Sequence, residues 1–227
     1  AALYFSYGHG RVLDRGGRRD VLLVWELQFG VVGPAAGGPT IQNSVHRLIG
    51  VPTMPGWQTQ QPNEFVANLN WDFRKRFDLP GARPGLRDLI LRSGVQLGTI
   101  RTEVIFGGQA RWGKGLERSW GNATIRQSPA FDPVDRLRGD LSAPLVAAWF
   151  FVDAQVQVVV SNYATDGSNF RATRGVNREP VVGQLGFGYS FQFHHFAATL
   201  YSTLRSHEFQ AQQSLHGVGG IKLDLLF

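Results

Sequence analysis

The sequence contains no cysteine among its 227 residues, which excludes a disulfide framework and a metal site built from thiolates. It also has no run of about 18 or more apolar residues, so the chain offers no transmembrane helix. The GxSxG, HExxH, P-loop and EF-hand motifs are missing as well. These absences exclude the catalytic, nucleotide and metal sites that such short motifs would reveal.

Glycine and aromatic residues are frequent instead. The chain has 28 glycines and 12 % aromatic residues, whereas hydrophobic residues make up 43 % and the mean hydropathy is −0.14. Its length fits one domain, residues 1–227. A membrane protein of this composition has to be a closed barrel, because lipid offers no hydrogen-bond partner for an open sheet edge.

The chain is basic, with a formal net charge of +6 and a pI of about 10.2. Anionic partners are therefore expected, either nucleic acid or phosphorylated lipid. The basic residues do not cluster on one helix or sheet face with interleaved aromatics, as a nucleic-acid footprint requires. We therefore predict no nucleic-acid partner and expect a phosphorylated lipid.

Alternation of apolar and polar residues runs through most of the chain and predicts strands. In 184–193 apolar and aromatic side chains alternate with glycine, serine and glutamine, and the same period of two occurs in 20–31 and 64–74. Nine strands are predicted in this way. Their bounds are 2–13, 20–31, 63–75, 87–97, 100–112, 146–161, 181–193, 196–208 and 215–227.

A soluble β-sandwich alternates in the same way with its apolar face inward, so the alternation alone leaves that alternative open. Three features favour a membrane barrel: strands of about 10–13 residues, a polar face rich in small and amide side chains, and aromatics near strand ends. Phe227 closes the last strand, as in bacterial outer-membrane proteins. The predicted fold is an all-β transmembrane antiparallel barrel of the bacterial outer membrane, with about 10–12 strands.

The odd strand number bears on orientation. Single-chain bacterial barrels normally have an even number of strands, short inner turns and long outer loops. If Phe227 ends on the periplasmic side, segments 32–62 and 162–180 are outer loops and 113–145 lies inside. The first strand would then begin outside, so we expect at least one strand before Ala1 or one that escapes the pattern.

The outer loop 32–62 contains a predicted short helix, with Thr40 as its N-cap and Gly50 as its end. Its apolar residues repeat at helical spacing: Ile41, Val45, Leu48 and Ile49.

His46 lies on this helix, one turn after Gln42 and Asn43. A histidine in that place can act as a general base toward a water or a hydroxyl. A histidine that only packs over the barrel mouth is the alternative, and the pattern does not choose between the two. His194 and His195, at a tight turn, are predicted interface residues.

Six short motifs follow one another along most of the chain, from Gly30 to Phe227. They are GVVGPA at 30–35, QNSVHRLIG at 42–50, GWQTQ at 56–60, DGSNF at 166–170, EPVVG at 179–183 and RSHEF at 205–209. In order and spacing they resemble the outer-membrane lipid A 3′-O-deacylase family. One such motif would be weak support, but several in register over most of the chain are strong.

The resemblance implies a twelve-stranded barrel and a calcium-dependent hydrolase that removes the 3′-linked acyloxyacyl chain of lipid A in the outer leaflet of Gram-negative bacteria. The histidine of the family's QNxxH helix is the general base and corresponds to His46. Gln42, Asn43 and Arg47 are the predicted substrate-binding residues. Calcium, with a carboxylate, would polarise the ester carbonyl and stabilise the oxyanion, but the sequence does not identify its ligands.

The first residues depart from the family's pattern. The family opens with a strand bearing an Asn-Asp pair, and none occurs in residues 1–20. FSYG at 5–8 corresponds at most to its Tyr-Thr-Asn-Gly motif, which makes Ser6 a predicted catalytic residue with Tyr7 in the asparagine position. DRGG at 14–17 is a reduced form of Asp-Arg-Pro-Tyr-Ala-Gly. Either residues before Ala1 complete the site, or the calcium ligands are lost.

Two functions therefore stay open. One is a lipid A deacylase, with arginines available for the lipid A phosphates. The other is a catalytically degenerate barrel that serves as a structural subunit or anchor, with protein partners in an envelope complex. A wide pore is not expected, because twelve or fewer strands leave a lumen filled by side chains or one ligand. The candidate phosphate-binding residues are Arg47, Arg101, Arg111, Arg171 and Arg174.

Overall fold

The structure is a computed structural model that describes residues 1–15, 18–53, 55–79, 86–121, 146–193 and 196–225. Nine strands form one curled antiparallel sheet in chain order, and each strand pairs with the next. The strands are β1 (Ala2–Arg15), β2 (Arg18–Val32), β3 (Glu64–Asp78), β4 (Arg87–Gly98), β5 (Arg101–Lys114), β6 (Val146–Asn162), β7 (Val181–Phe193), β8 (Phe196–Arg205) and β9 (His216–Leu225).

All nine predicted strands are confirmed. β3 continues three residues further than predicted, to Asp78 and not to residue 75. β8 is three residues shorter than predicted, since it stops at Arg205 and not at residue 208. β8 ends early because the residues after it pair with the segment before β7. The Glu208 carbonyl accepts from the Glu179 N–H at 2.8 Å, and Phe209 forms an isolated β-bridge with Arg178. None of the helices in the described ranges has the length and apolar character needed to cross a membrane.

The two faces of the sheet are inverted relative to a soluble protein. On β3, Phe65 is 64 % exposed on the outer face. Its neighbour Val66 and every second residue after it face inward, and Asn68 among them is only 2 % exposed. The same order holds on β7, where Phe187 is exposed and Gln184 is buried. Because a sandwich buries its apolar face, the sandwich alternative is wrong. The exposed apolar face is the one that a barrel turns toward lipid.

Aromatic pairs across neighbouring strands lie near both ends of this exposed face. Phe5 and Phe29 stack with ring centroids 6.0 Å apart near the end of β1 where the chain begins. Trp112 and Phe150 lie 6.0 Å apart near the opposite end. Such pairs contribute about 0.5–1.5 kcal/mol beyond area burial. The predicted placement of aromatics toward strand ends is thereby confirmed for these pairs.

Ion pairs fill the interior of the barrel. Asp72 binds Arg74 at 2.9 Å and Arg92 at 2.6 Å. Arg111, fully buried, pairs with Asp88. A buried charge without a partner is strongly destabilising, so these carboxylates and guanidinium groups require one another.

The predictions that Arg101 and Arg111 bind lipid A phosphates are wrong, because both side chains form ion pairs in the interior. Arg101 and Arg111 were candidates for lipid A phosphates, but both point into the interior and are buried. Arg101 pairs there with Glu103, and Arg111 pairs with Asp88. Neither guanidinium group reaches the surface where a phosphate could bind.

Residues 115–121 form a plug, by which we mean the segment that follows β5 and folds back into the barrel. It is the described part of the predicted inner loop beyond Lys114. Trp120 is buried against Leu22 and Val24, and the Arg76 guanidinium lies 4.3 Å from the centroid of its ring. Arg74 donates to the Trp120 carbonyl at 2.8 Å. Interior arginines thus bind the backbone of the plug and hold it inside the barrel.

Helix α1 (Gly38–Ile49) confirms the predicted helix in an extracellular loop. The prediction of Thr40 as N-cap is wrong, because the cap is Gly37, three residues earlier, and the helix begins at Gly38. Proline in the first turn explains this, since its missing N–H has no helical partner to lose there. The predicted end is confirmed: Gly50 has a φ of 71°, and its N–H donates to the His46 carbonyl.

Some predictions concern residues outside the described ranges. These are the tight-turn histidines His194 and His195, the terminal Phe227, and Gly16 with Gly17.

Candidate functional site

Helix α1 has two unlike faces. Gln42, Asn43 and His46 are half-buried and lie on one side, because Asn43 and Gln42 precede His46 by three and four residues. The other side is apolar and exposed, and Leu48 on it is 85 % exposed. Three of the predicted site residues are therefore brought together on one face. The exposed apolar residues are Ile41, Val45, Leu48 and Ile49.

The ring of His46 is oriented by the backbone. Its Nδ1 lies 2.6 Å from the carbonyl oxygen of Pro52, just after the end of α1. A carbonyl oxygen only accepts, so Nδ1 carries the hydrogen and donates it. In the neutral ring Nε2 is then the nitrogen with a free lone pair. This tautomer is the one that can take a proton from a water through Nε2.

Two buried polar atoms in this loop lack a hydrogen-bond partner among the described residues. They are Oδ1 of Asn43, one turn before His46, and Nε1 of Trp57. Leaving a buried acceptor or donor unpaired costs about 1–3 kcal/mol, which favours a water or ligand group beside each. The Asn43 oxygen can accept from a water placed on the same helix face as the histidine.

The start of α1 rests against the outer end of β1. The Gly33 N–H donates to the Ala1 carbonyl at 2.8 Å, and the Ala35 N–H donates to Asn63 Oδ1 at 2.7 Å. A Cβ at Gly38 would lie 2.9 Å from the ring of Trp57. The helix therefore needs glycine at this position to pack so closely.

Ser6 lies elsewhere. It is five residues beyond Ala1 on β1, roughly 17 Å along the strand, and pairs with Gln28 of β2. Its hydroxyl bonds to the Glu26 carboxylate in the interior, and within the described ranges no hydrogen bond joins it to α1. Tyr7 faces outward and is exposed. The structure thus does not bring Ser6 into contact with His46.

The connection between β6 and β7 holds the outer loops together, a role that the sequence did not reveal. The Glu64 carboxylate accepts from the Asn169 backbone N–H at 3.1 Å and from Asn169 Nδ2 at 2.7 Å, and it also bonds to the Ser168 hydroxyl. Asn169 Nδ2 donates to the Thr99 carbonyl as well, at 2.9 Å. The DGSNF motif was the available signal, and its serine and asparagine form this clamp.

The same connection contacts the α1 loop. Gln61 Nε2 donates to the Arg174 carbonyl at 2.9 Å, and the Tyr163 hydroxyl lies 3.5 Å from the Pro62 carbonyl. Burial raises the pKa of the Tyr163 phenol, and the nearby Glu64 carboxylate adds to the rise. The hydroxyl therefore keeps its proton and remains a donor.

Asp166 anchors the short helix α2 (Tyr163–Asp166). Its Oδ2 accepts from the Asn162 N–H at 3.0 Å and from Arg178 Nη1 at 2.7 Å, while Thr165 donates to Oδ1 at 3.1 Å. Burial opposes ionisation, but these bonds outweigh it and hold the pKa of Asp166 below its usual range. The carboxylate is charged at neutral pH.

The ligands of the predicted calcium are not identified by the part of the chain that the structure describes. No group of three or more His, Cys, Asp or Glu side chains in it could hold a metal ion. The carboxylates of Glu64 and Asp166, at the outer end, are both engaged by protein donors. Calcium stays a prediction, and we derive no chemical step through it.

Three of the predicted arginines remain at the outer surface. Arg47 is exposed on α1 and donates to Ser44 Oγ at 3.3 Å. Arg171 and Arg174 are exposed on the connection between β6 and β7. Their charges are accessible to an anionic ligand approaching from the outer leaflet.

Comparison with known proteins agrees with this architecture. The sequence profile of a family described as "Outer membrane protein LpxR" matches residues 2–227. The solved structure of LpxR from Salmonella typhimurium aligns with a TM-score of 0.75 at 18 % identity, covering 92 % of this chain and 68 % of that one. No curated protein matches the chain. The predicted outer-membrane β-barrel and its outer-membrane location are confirmed.

Proposed function

Because the chain belongs to the LpxR family of outer-membrane proteins, we propose that it is a lipid A 3′-O-deacylase acting on lipopolysaccharide in the outer leaflet. The observation that carries the proposal is the polar face of α1, where Nδ1 of His46 is held by Pro52 at 2.6 Å. That bond leaves Nε2 ready to act as a base. Gln42 and Asn43 lie on the same face.

The proposed reaction is hydrolysis of an ester. His46 Nε2 takes a proton from a water held by Asn43 Oδ1, and the water oxygen adds to the ester carbonyl. When the tetrahedral intermediate collapses, the bond to the sugar oxygen breaks and that oxygen receives the proton from His46. The products are a free fatty acid and the lipid A hydroxyl. The Gln42 amide is the proposed donor to the developing oxyanion.

The exposed face of α1 supports a lipid substrate. Leu48 and Ile49 lie at the outer end of the barrel with no described residue covering them. Exposed apolar surface of this kind marks contact with a membrane or an apolar ligand. We propose that acyl chains contact this face, while Arg47, Arg171 and Arg174 bind the phosphates of lipid A.

Ser6 and calcium stay predictions. The Ser6 hydroxyl is turned toward Glu26 in the interior, so its predicted catalytic role requires substrate to reach below the α1 loop. Calcium dependence is a prediction from the family resemblance and is tested by chelation. Loss of activity in Ser6→Ala and after treatment with EGTA would support these two roles separately.

The test is mass spectrometry of lipid A from Gram-negative cells that express the protein, grown with and without added calcium. Expression should remove the mass of one acyloxyacyl group, and His46→Ala should abolish the change. His216→Ala is the matched control, since His216 is exposed at the start of β9. Unchanged lipid A, with the barrel shown to be folded by its heat-dependent electrophoretic shift, would contradict the proposal.

A structural role is the second candidate. It is favoured by the distance of Ser6 from α1 and by the lack of a metal-binding cluster within the described ranges. In that case the barrel is an anchor or subunit of an outer-membrane assembly. Copurification with one fixed partner, together with unchanged lipid A, would favour this role over hydrolysis.

A further inference from the structure

The outer wall of the barrel carries a groove of about 630 Å³ across strands β1 to β5. Aromatic side chains form its walls: Trp25 and Trp71 on one row, and Phe73 and Phe106 on the next. Ser93 lies between Phe73 and Phe106 in the sheet register, and its small side chain leaves the space open. The volume lies within the range of small-molecule sites, and the aromatic part of the lining faces lipid.

A cation borders this apolar groove. Arg11 on β1 faces outward beside Leu23, with which it pairs in register, and His9 faces outward beside Trp25. Arg11 is exposed, and no ion pair joins it to a carboxylate among the residues that the structure describes. Placing an arginine on the lipid-facing side of a barrel is unfavourable unless it meets an anion or reaches the interface.

The position of Arg11 along β1 indicates which leaflet of the membrane its side chain faces. It lies four residues from Arg15, about 13 Å along the strand, and nine residues from Ala2, about 30 Å along it. The β1 end at Ala2 is the outer one, since it contacts the α1 loop. Arg11 therefore lies in the half of the wall that faces the inner leaflet, where phospholipid phosphates are within reach of a long side chain.

We propose that this groove binds a glycerophospholipid of the inner leaflet, with an acyl chain between the aromatic walls and the phosphate on Arg11. Charge complementarity and depth support this occupant over lipopolysaccharide, whose phosphates lie at the opposite surface. His9 is the second group at the phosphate, as a neutral or charged donor. The site is separate from α1 and does not depend on the proposed hydrolysis.

The test is native mass spectrometry of the full chain in detergent, titrated with dioleoyl phosphatidylglycerol. One lipid should be retained per protein, and Arg11→Gln should weaken binding about tenfold, equivalent to 1.4 kcal/mol. Arg87→Gln is the matched control, because Arg87 is exposed at the inner end of β4, outside the groove. It should leave the affinity within about twofold, since one distant surface charge has little effect.

A second variant tests the groove without removing charge. Ser93→Trp fills the space between Phe73 and Phe106 and should also lower the bound fraction, whereas Ala154→Trp adds the same side chain on the exposed face of β6, away from the groove. All four variants are first checked for a folded barrel by the heat-dependent shift. Retained binding in Ser93→Trp would contradict an acyl chain in this groove.

Three results would overturn the proposal. Equal losses in Arg11→Gln and Arg87→Gln would show nonspecific annular lipid. Displacement of phosphatidylglycerol by lipopolysaccharide in a manner that depends on Arg11 would assign the site to the other leaflet. A dimer in the mass spectrum that dissociates in Ser93→Trp would show that a second copy covers the groove.

Discussion

Asp166 shows how a single carboxylate organises the outer surface. It binds the start of α2 through the Asn162 N–H and the far end of the connection through Arg178. Because these partners favour the charged form, the pKa of Asp166 is held below its ordinary value of 3.8. The contact therefore stabilises the connection above that pH and is lost as the pH falls through the lowered pKa.

We expect Asp166→Asn to loosen residues 163–180 at pH 5 and to loosen them less at pH 2. The amide keeps the shape and loses the charge that Arg178 binds, so cleavage there by pepsin should rise up to about fivefold at pH 5. The native carboxyl loses its charge as the pH falls through its lowered pKa, so the ratio of variant to native cleavage should move toward one as the pH is lowered. The activity of pepsin itself cancels in this ratio.

Asp224→Asn is the matched control, since Asp224 pairs with Lys222 on β9, away from the connection. Its cleavage ratio should stay near one at both pH values. A ratio for Asp166→Asn that does not change with pH would show that charge on Asp166 does not hold the connection.

Helix α1 is amphipathic, and its apolar side is exposed. We expect that side to contact the outer leaflet. The chain has no native cysteine, so a single Leu48→Cys variant can carry an environment-sensitive fluorophore. In vesicles containing lipopolysaccharide and nitroxide-labelled lipid, we expect strong quenching at position 48. Arg47→Cys, one residue earlier on the polar side, is the control and should be quenched less.

Equal quenching at both positions would mean that α1 stands clear of the membrane. In that case acyl chains would not contact Leu48, and the substrate placement proposed for the apolar side would fail even if His46 proved essential.

The plug, residues 115–121, contributes to the stability of the barrel through Trp120. Trp120→Ala should lower the free energy of unfolding by about 3–5 kcal/mol, because it leaves a cavity beside Leu22 and Val24. It also removes the ring beneath Arg76. Urea unfolding in detergent measures the loss, and planar-bilayer recording measures whether small ions then pass through the lumen.

Trp112→Ala is the control for the loss of a tryptophan. Trp112 is 40 % exposed on the lipid-facing side, so its removal leaves no internal cavity and should cost less. Equal costs for Trp112 and Trp120 would contradict the view that the plug is packed into the barrel.

The barrel wall that the nine strands form has a polar interior and an apolar exterior, which makes lipid its natural solvent. Phe187 lies at the middle of β7 and is 57 % exposed. Phe187→Arg should destabilise the barrel in phospholipid vesicles by about 2–4 kcal/mol, the cost of a lipid-facing arginine at the bilayer midplane. Guanidinium titration in vesicles measures the difference.

Val176→Arg provides the comparison, because Val176 is exposed on the outer connection and not in a spanning strand. Its effect should be close to zero. A similar small effect for Phe187→Arg would indicate that β7 does not face lipid, and the orientation of the wall would have to be reversed.

Much of this architecture depends on residues that are close together in the sequence. A period of two in each strand decides which side chains share a face, and so the nine strands and the helix end at Gly50 could be predicted from residues close in the chain. The start of α1 was misplaced at Thr40 because a glycine N-cap carries a weaker signal than threonine. The histidine face of α1 likewise follows from spacing within one turn.

The partners of the interior charges could not be predicted. Glu64 and Asn169 are 105 residues apart, and Arg74 and the Trp120 carbonyl are 46 apart. Alternation can predict which face of the sheet Arg111 lies on. It cannot predict that Asp88 of β4 is its partner.

The sequence alone therefore determined the strands, their two faces and the helix that carries His46, because each depends on neighbours within a few residues. Only the tertiary structure decided that Arg101 and Arg111 are interior ion-pair partners, that Trp120 packs inside the barrel, and that Ser6 is remote from α1. The physical reason is the sheet register, which brings distant side chains into contact and separates others by the length of a strand.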